Sequence, residues 1–191
     1  MDAAVLEGGF ADAARDSQST FRAILSALSE PGTVHPVTAV AAPPAPLGPA
    51  AGAILLTLLD QETPVWLAPA FGAPVREWTT FQTGAPVTED RAAARFAVLD
   101  TPDLAGFDRG SDAYPDRSAT LILTADGATP FALAGPGVDG RRAAALPLPA
   151  AFAETWAENR ALFPRGLDLL IVGGEGVIGL PRTTELLCTS R

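Results

Sequence analysis

The stretch "DLLIVGGEGVIGLPRTT", residues 168–184, decides how the rest of the chain is read. Gly174, Gly176 and Gly179 follow an apolar run with the G-x-G-x-x-G spacing of a dinucleotide-binding loop. Such a loop must open a helix, because the pyrophosphate sits on the helix N-terminus. Pro181 stands two residues past Gly179, and only 12 residues follow that glycine. A helix, a second strand and a ribose-binding acid do not fit there. The stretch therefore reads as strands 167–172 and 177–180 joined by a turn, with a third strand at 185–188. The same spacing recurs at Gly135-Pro136-Gly137-Val138-Asp139-Gly140, in a chain with 18 glycines. That copy runs into "AAALPLP", a poor helix. It reads as a turn of positive-φ glycines or as an anion-binding backbone nest.

Working outward, residues 16–29 read as a helix with Phe21, Ile24/Leu25 and Leu28 on one face, stopped by Pro31-Gly32. Residues 33–49 are extended and proline-rich. A nearly all-apolar helix follows at 50–60, then a strand at 64–68. A helix at 74–83 has Trp78 and Phe81 facing inward. Residues 95–100 form a strand and 101–117 an Asp-rich loop. Strands at 118–125 and 130–135 flank Asp126-Gly127 and read as a hairpin. Residues 149–163 form an amphipathic helix with Phe152, Trp156 and Leu162 near one face, and Pro149 in its first turn. This alternation predicts an α/β fold with a mixed sheet flanked by helices. The length suits one domain, 1–191, burying about 70% of its unfolded surface.

Composition excludes more than it identifies. All 13 basic residues are arginines. Without lysine there is no internal aldimine for pyridoxal phosphate and no P-loop amine. One Cys (Cys188) and one His (His35) cannot build a Cys/His zinc site or hold an iron–sulfur cluster. A net charge of −9 argues against a nucleic-acid partner. Neither a signal-like start nor an apolar run of membrane-spanning length stands in the chain, so a cytoplasmic protein without a membrane contact is expected. No G-x-S-x-G elbow occurs. His35 before Pro36 reads as structural or exposed, Cys188 as a small hydrophobe, and Glu154 and Glu158 as a solvated face.

The remaining candidates are anion-binding groups. Pro181-Arg182-Thr183-Thr184 places a guanidinium and two hydroxyls together, which reads as a phosphate or carboxylate clamp or as turn chemistry with a surface ion pair. Asp168, inside an apolar strand, is either on a solvent face or paired with Arg165 or Arg182. Arg22 is either an exposed helix residue or reaches an interface over the core. Gly135 and Gly137 supply the nest alternative.

Taken in order, "FRAILSALSEPG" (21–32), "LLTLLDQETPVWL" (55–67), "FQTGAP" (81–86), "SATLIL" (118–123), "LAGPGV" (133–138), "FPRGLDLLIVGG" (163–174) and "LPRTT" (180–184) resemble the PhnH family, the H subunit of the bacterial carbon–phosphorus lyase system. The resemblance implies a fold similar to pyridoxal-phosphate-dependent transferases, without the cofactor. It implies a homodimer that joins G, I and J subunits in a core complex. With the G, I and L subunits, the family member is needed to transfer an alkylphosphonate to ribose C1 of ATP with release of adenine. The radical iron–sulfur step belongs to the J subunit. The family provides no assigned catalytic residue to carry over, and Gln82 replaces a common His, which argues for a polar packing role there. If the chain contacts ATP or a phosphonate, the expected residues are Arg182, Thr183 and Thr184 with the Gly135–Gly137 turn, and then Arg22, Arg165 and Asp168. The alternatives are a stand-alone transferase or hydrolase acting on an anionic substrate, and a purely structural assembly subunit.

Overall fold

A computed structural model describes residues 7–174 and 176–189. The chain start, residues 1–6, and Glu175 in the 168–184 turn lie outside the described residues. Four α-helices are described: α1 (Ala13–Ser29), α2 (Pro49–Leu58), α3 (Gly72–Thr83) and α4 (Phe152–Arg160). The described strands are β1 (Val34–Pro36), β2 (Val65–Leu67), β3 (Phe96–Leu99), β4 (Thr120–Thr124), β5 (Thr129–Ala134), β6 (Arg142–Leu146), β7 (Asp168–Gly173), β8 (Gly176–Leu180) and β9 (Glu185–Cys188). Six strands form one sheet in the order β1-β8-β7-β4-β3-β2, and three form a second, β6-β5-β9. Strands β2, β3, β4 and β7 run parallel, while β8 and β1 each pair antiparallel. The architecture is α/β with a mixed sheet flanked by helices.

The 168–184 stretch is a hairpin, with Leu169 opposite Leu180 and Gly173 opposite Gly176. Its three glycines serve three separate steric needs. Gly174 turns the chain at φ +55°. A Cβ on Gly176 would lie 2.7 Å from Val34 Cγ1 on the edge strand β1. A Cβ on Gly179 would lie 2.3 Å from Ala27 O, so α1 rests directly on β8. That close approach corrects the expected face of α1. The buried stripe is Thr20, Ala23, Ile24 and Ala27, whose small members let the helix sit down on the strand. Phe21 and Leu25 do not fit that gap and stay outside, 47% and 51% exposed.

Three further expectations change. Strands β4 and β5 do not form a hairpin: β4 lies between β3 and β7, and β5 between β6 and β9. Leu121, Ile122 and Leu123 are consecutive and all buried, the mark of a central parallel strand covered on both faces. Residues 142–146, to which the sequence pattern assigns no strand, form β6 against β5. On α3, Trp78 is buried and its indole N–H donates to Glu7 O at 2.9 Å, but Phe81 points outward, 55% exposed. Helix α4 covers 152–160 instead of 149–163, with Phe152 and Trp156 buried and stacked at 5.9 Å. Residues from both sheets and from all four described helices belong to one apolar core.

Candidate functional site

The chain leaves the six-stranded sheet after Leu180 and enters the three-stranded sheet at Glu185. The four residues between are the candidate segment Pro181–Thr184. Arg182 is tied down completely there. Its backbone N–H and its Nε donate to Asp168 Oδ1 at 2.8 and 3.1 Å, and Nη2 reaches Asp168 Oδ2 at 2.5 Å. Nη1 donates to Pro115 O at 3.0 Å and Pro164 O at 3.3 Å, and Nη2 also donates to Ser118 Oγ at 2.7 Å. A guanidinium has five N–H donors, and each has an acceptor within the chain. Asp168 is therefore the paired carboxylate of the two alternatives, and Arg182, not Arg165, is its partner. In this arrangement Arg182 holds no donor free for a ligand; it joins β7, the loop before β4 and the loop after α4.

Helix α4 approaches the same segment with residues spaced to share a face. Trp156 Nε1 donates to Thr184 O at 2.9 Å. Asn159, fully buried, donates from Nδ2 to Leu167 O at 2.9 Å and accepts Leu167 N–H on Oδ1 at 2.8 Å. Arg160 Nε donates to Thr183 O at 3.3 Å. The glycine turn arrives from the end of β5. A Cβ on Gly135 would lie 3.0 Å from Thr183 O, and one on Gly137 would lie 2.1 Å from Ser29 O. The tertiary fold thus brings Arg182, Thr183, Thr184, Asp168 and the Gly135–Gly137 turn to one corner. An open cleft of about 310 Å³ lies there, lined by Pro136, Arg160, Phe163 and Thr183. Thr184 is buried, so its hydroxyl is withdrawn from that cleft. Thr183 is half-buried and lines it.

Other candidates fall elsewhere. Arg165 pairs with Asp112 at 3.0 Å. Arg22 is exposed on α1, and no described hydrogen bond or ion pair joins it to the corner. Gln82 Nε2 donates to Glu7 O at 3.4 Å, and Gly9 passes so close that a Cβ would lie 2.7 Å from Gln82 Oε1. Gln82 thereby packs residues 7–9 against α3. His35 lies 3.5 Å from Glu30.

Sequence reasoning missed two features. Arg91 lies over Trp66 and Phe107, at 4.4 and 5.1 Å from their ring centroids, and pairs with Asp103 at 2.6 Å. Its hydrogen bond holds the Asp103 carboxyl below the usual range against the opposing effect of burial. No local pattern couples residue 91 to 103. The second feature is a cavity of about 230 Å³ at the C-terminal ends of β4 and β7, bordered by Gly48, Ala50, Thr124, Asp126 and Gly173. Open α/β sheets bind ligands at that end. The parallel order β4-β7 is the signal for it, and that order cannot be read from spacing. Its lining holds Asp126 and no cation, so an anion is better served at the Arg160 corner.

Fold and corner define the class: an α/β protein that carries fixed guanidinium and hydroxyl donors where its chain crosses between two sheets. The chain belongs to the bacterial phosphonate metabolism protein (PhnH) family, whose model matches residues 8–187. It is 43% identical over 191 residues to the alpha-D-ribose 1-methylphosphonate 5-triphosphate synthase subunit PhnH of Rhizobium meliloti (strain 1021), covering 95% of this chain and 96% of that protein.

Proposed function

We propose that this chain is a subunit of an α-D-ribose 1-methylphosphonate 5-triphosphate synthase in phosphonate catabolism. The observation that carries the reading is 43% identity extending through 95% of the chain. In this role the chain is one domain of the cytoplasm. It forms a homodimer and joins the G, I and J subunits of the carbon–phosphorus lyase complex, acting with the L subunit as well. The assembly attaches an alkylphosphonate to ribose C1 of ATP and releases adenine.

Chemistry and surface both support a subunit role. The sequence has one cysteine, too few to ligate an iron–sulfur cluster, so a radical iron–sulfur step falls to a partner chain. Phe21, Leu25 and Phe81, which the apolar pattern assigns to the core, are about half exposed. A contacting chain would cover such side chains. A fold kinship with pyridoxal-phosphate-dependent transferases is part of the proposal, supported by the parallel β2-β3-β4-β7 core with antiparallel β8 at its side. The direct test is co-expression with the other subunits, with and without this chain, followed by measurement of phosphonate-dependent adenine release from ATP. Loss of release without the chain is expected. A complex that omits it and keeps full activity would overturn the reading.

A further inference from the structure

We propose that the cleft between α4 and the 181–184 segment is a nucleotide subsite, with Arg160 and Thr183 holding phosphate oxygens and Phe163 stacking on the base. This inference rests on the subunit reading above, because that reaction consumes a nucleoside triphosphate. Three observations carry it. Arg160 is anchored only through Nε on Thr183 O, and among the described residues its Nη groups meet neither carboxylate nor carbonyl. The Thr183 hydroxyl, on the same wall, likewise makes no hydrogen bond among the described residues. Phe163, three residues from Arg160, is 64% exposed at the cleft, with Pro136 also in the lining.

A guanidinium whose two Nη groups are both free is the group that grips a phosphate, and a neighbouring hydroxyl adds a donor. An exposed phenyl ring offers a face to any base. The cleft volume of about 310 Å³ is at the lower end for small-molecule pockets. It suits a nucleotide that leaves part of its polyphosphate in solvent or against a partner chain. The chain as a whole carries net charge −9 and repels a polyphosphate, so the attraction depends on this local cation.

Calorimetric titration of the full chain, alone and in the assembled complex, with ATP and with tripolyphosphate tests the assignment. Wild type should bind both, ATP more tightly. Arg160→Ala should weaken both by about tenfold or more, the usual effect of losing a charged hydrogen-bond pair. Phe163→Ala should weaken ATP several-fold and leave tripolyphosphate unchanged. Equal ATP affinity of wild type and Arg160→Ala, or absence of ATP binding by both chain and complex, would refute the subsite. Equal binding of ATP and tripolyphosphate, unaffected by Phe163→Ala, would refute the nucleotide assignment. Adenine release by the wild-type complex reports on the subunit reading separately from these variants.

Discussion

Arg182 and Arg160 both bond within the corner at residues 181–184, yet they are opposites. The Arg182 side chain is 15% exposed, and chain acceptors take all its donors. Arg160 is exposed and commits one donor, to Thr183 O. A buried guanidinium must satisfy every N–H or suffer a desolvation loss, so burial turns an arginine into a structural tie. Exposure leaves donors for something outside the chain. The sequence places Arg182 beside two threonines, as a ligand clamp would. The fold assigns that position to scaffolding and leaves the ligand-facing geometry to an arginine on another element.

Variants can break this contrast. The largest stability loss is expected from Arg182→Ala, which strands the Asp168 carboxylate and three other acceptors. Denaturant unfolding should show a loss of about 3 kcal/mol; a loss below about 1 kcal/mol would mean the tie is not structural. Next is Asn159→Ala, which leaves the buried N–H and C=O of Leu167 unpaired and frees α4, the element that carries Arg160. A loss of about 2 kcal/mol is expected, together with weaker ATP binding if the position of α4 sets the cleft.

A third arginine, Arg91, is intermediate: it pairs with a carboxylate that is 46% exposed. Asp103 is held below its ordinary range chiefly by the Arg91 hydrogen bond. Its contribution is therefore present above the unfolded carboxylate range and is lost as pH falls through the lower folded value. Solvent screening keeps that contribution to about 1 kcal/mol or less. Asp103→Asn should flatten the acid limb of the stability profile, measured by unfolding between about pH 5 and 2. An unchanged limb would show the pair to be without net effect. The smallest stability effect belongs to Arg160→Ala, within about 0.5 kcal/mol by thermal unfolding. A loss comparable to that of Arg182→Ala would erase the distinction between the two arginines.

Much of the element order was legible. The Gly174–Gly179 hairpin followed from Pro181 and the 12 residues left after Gly179, which hold no room for the helix, strand and acid that the glycine motif requires. Helices α1 to α4 were each located to within a few residues. Misreadings arose where distance in sequence mattered. The run from Leu121 to Leu123 has no period to distinguish a hairpin arm from a central parallel strand, so β4 was paired with the wrong neighbour. Phe21 and Leu25 have the right spacing for a core face, but the smaller stripe of Ala23 and Ala27 matches the close approach at Gly179. In the corner, Asp168, Thr183 and the Gly135–Gly137 turn were all nominated, whereas Arg160 was not among the candidates, because no motif in the sequence singles it out.

By itself, the sequence determined the chemical inventory: no amine nucleophile, no thiol cluster, and arginine as the sole fixed cation. It also determined the local folding units, because turn residues and apolar periodicity act over a few positions. Only the tertiary structure decided which arginine is held and which is open. Arg182 finds acceptors at Pro115 and Ser118, 67 and 64 positions away, and no local pattern records a hydrogen bond formed across that distance.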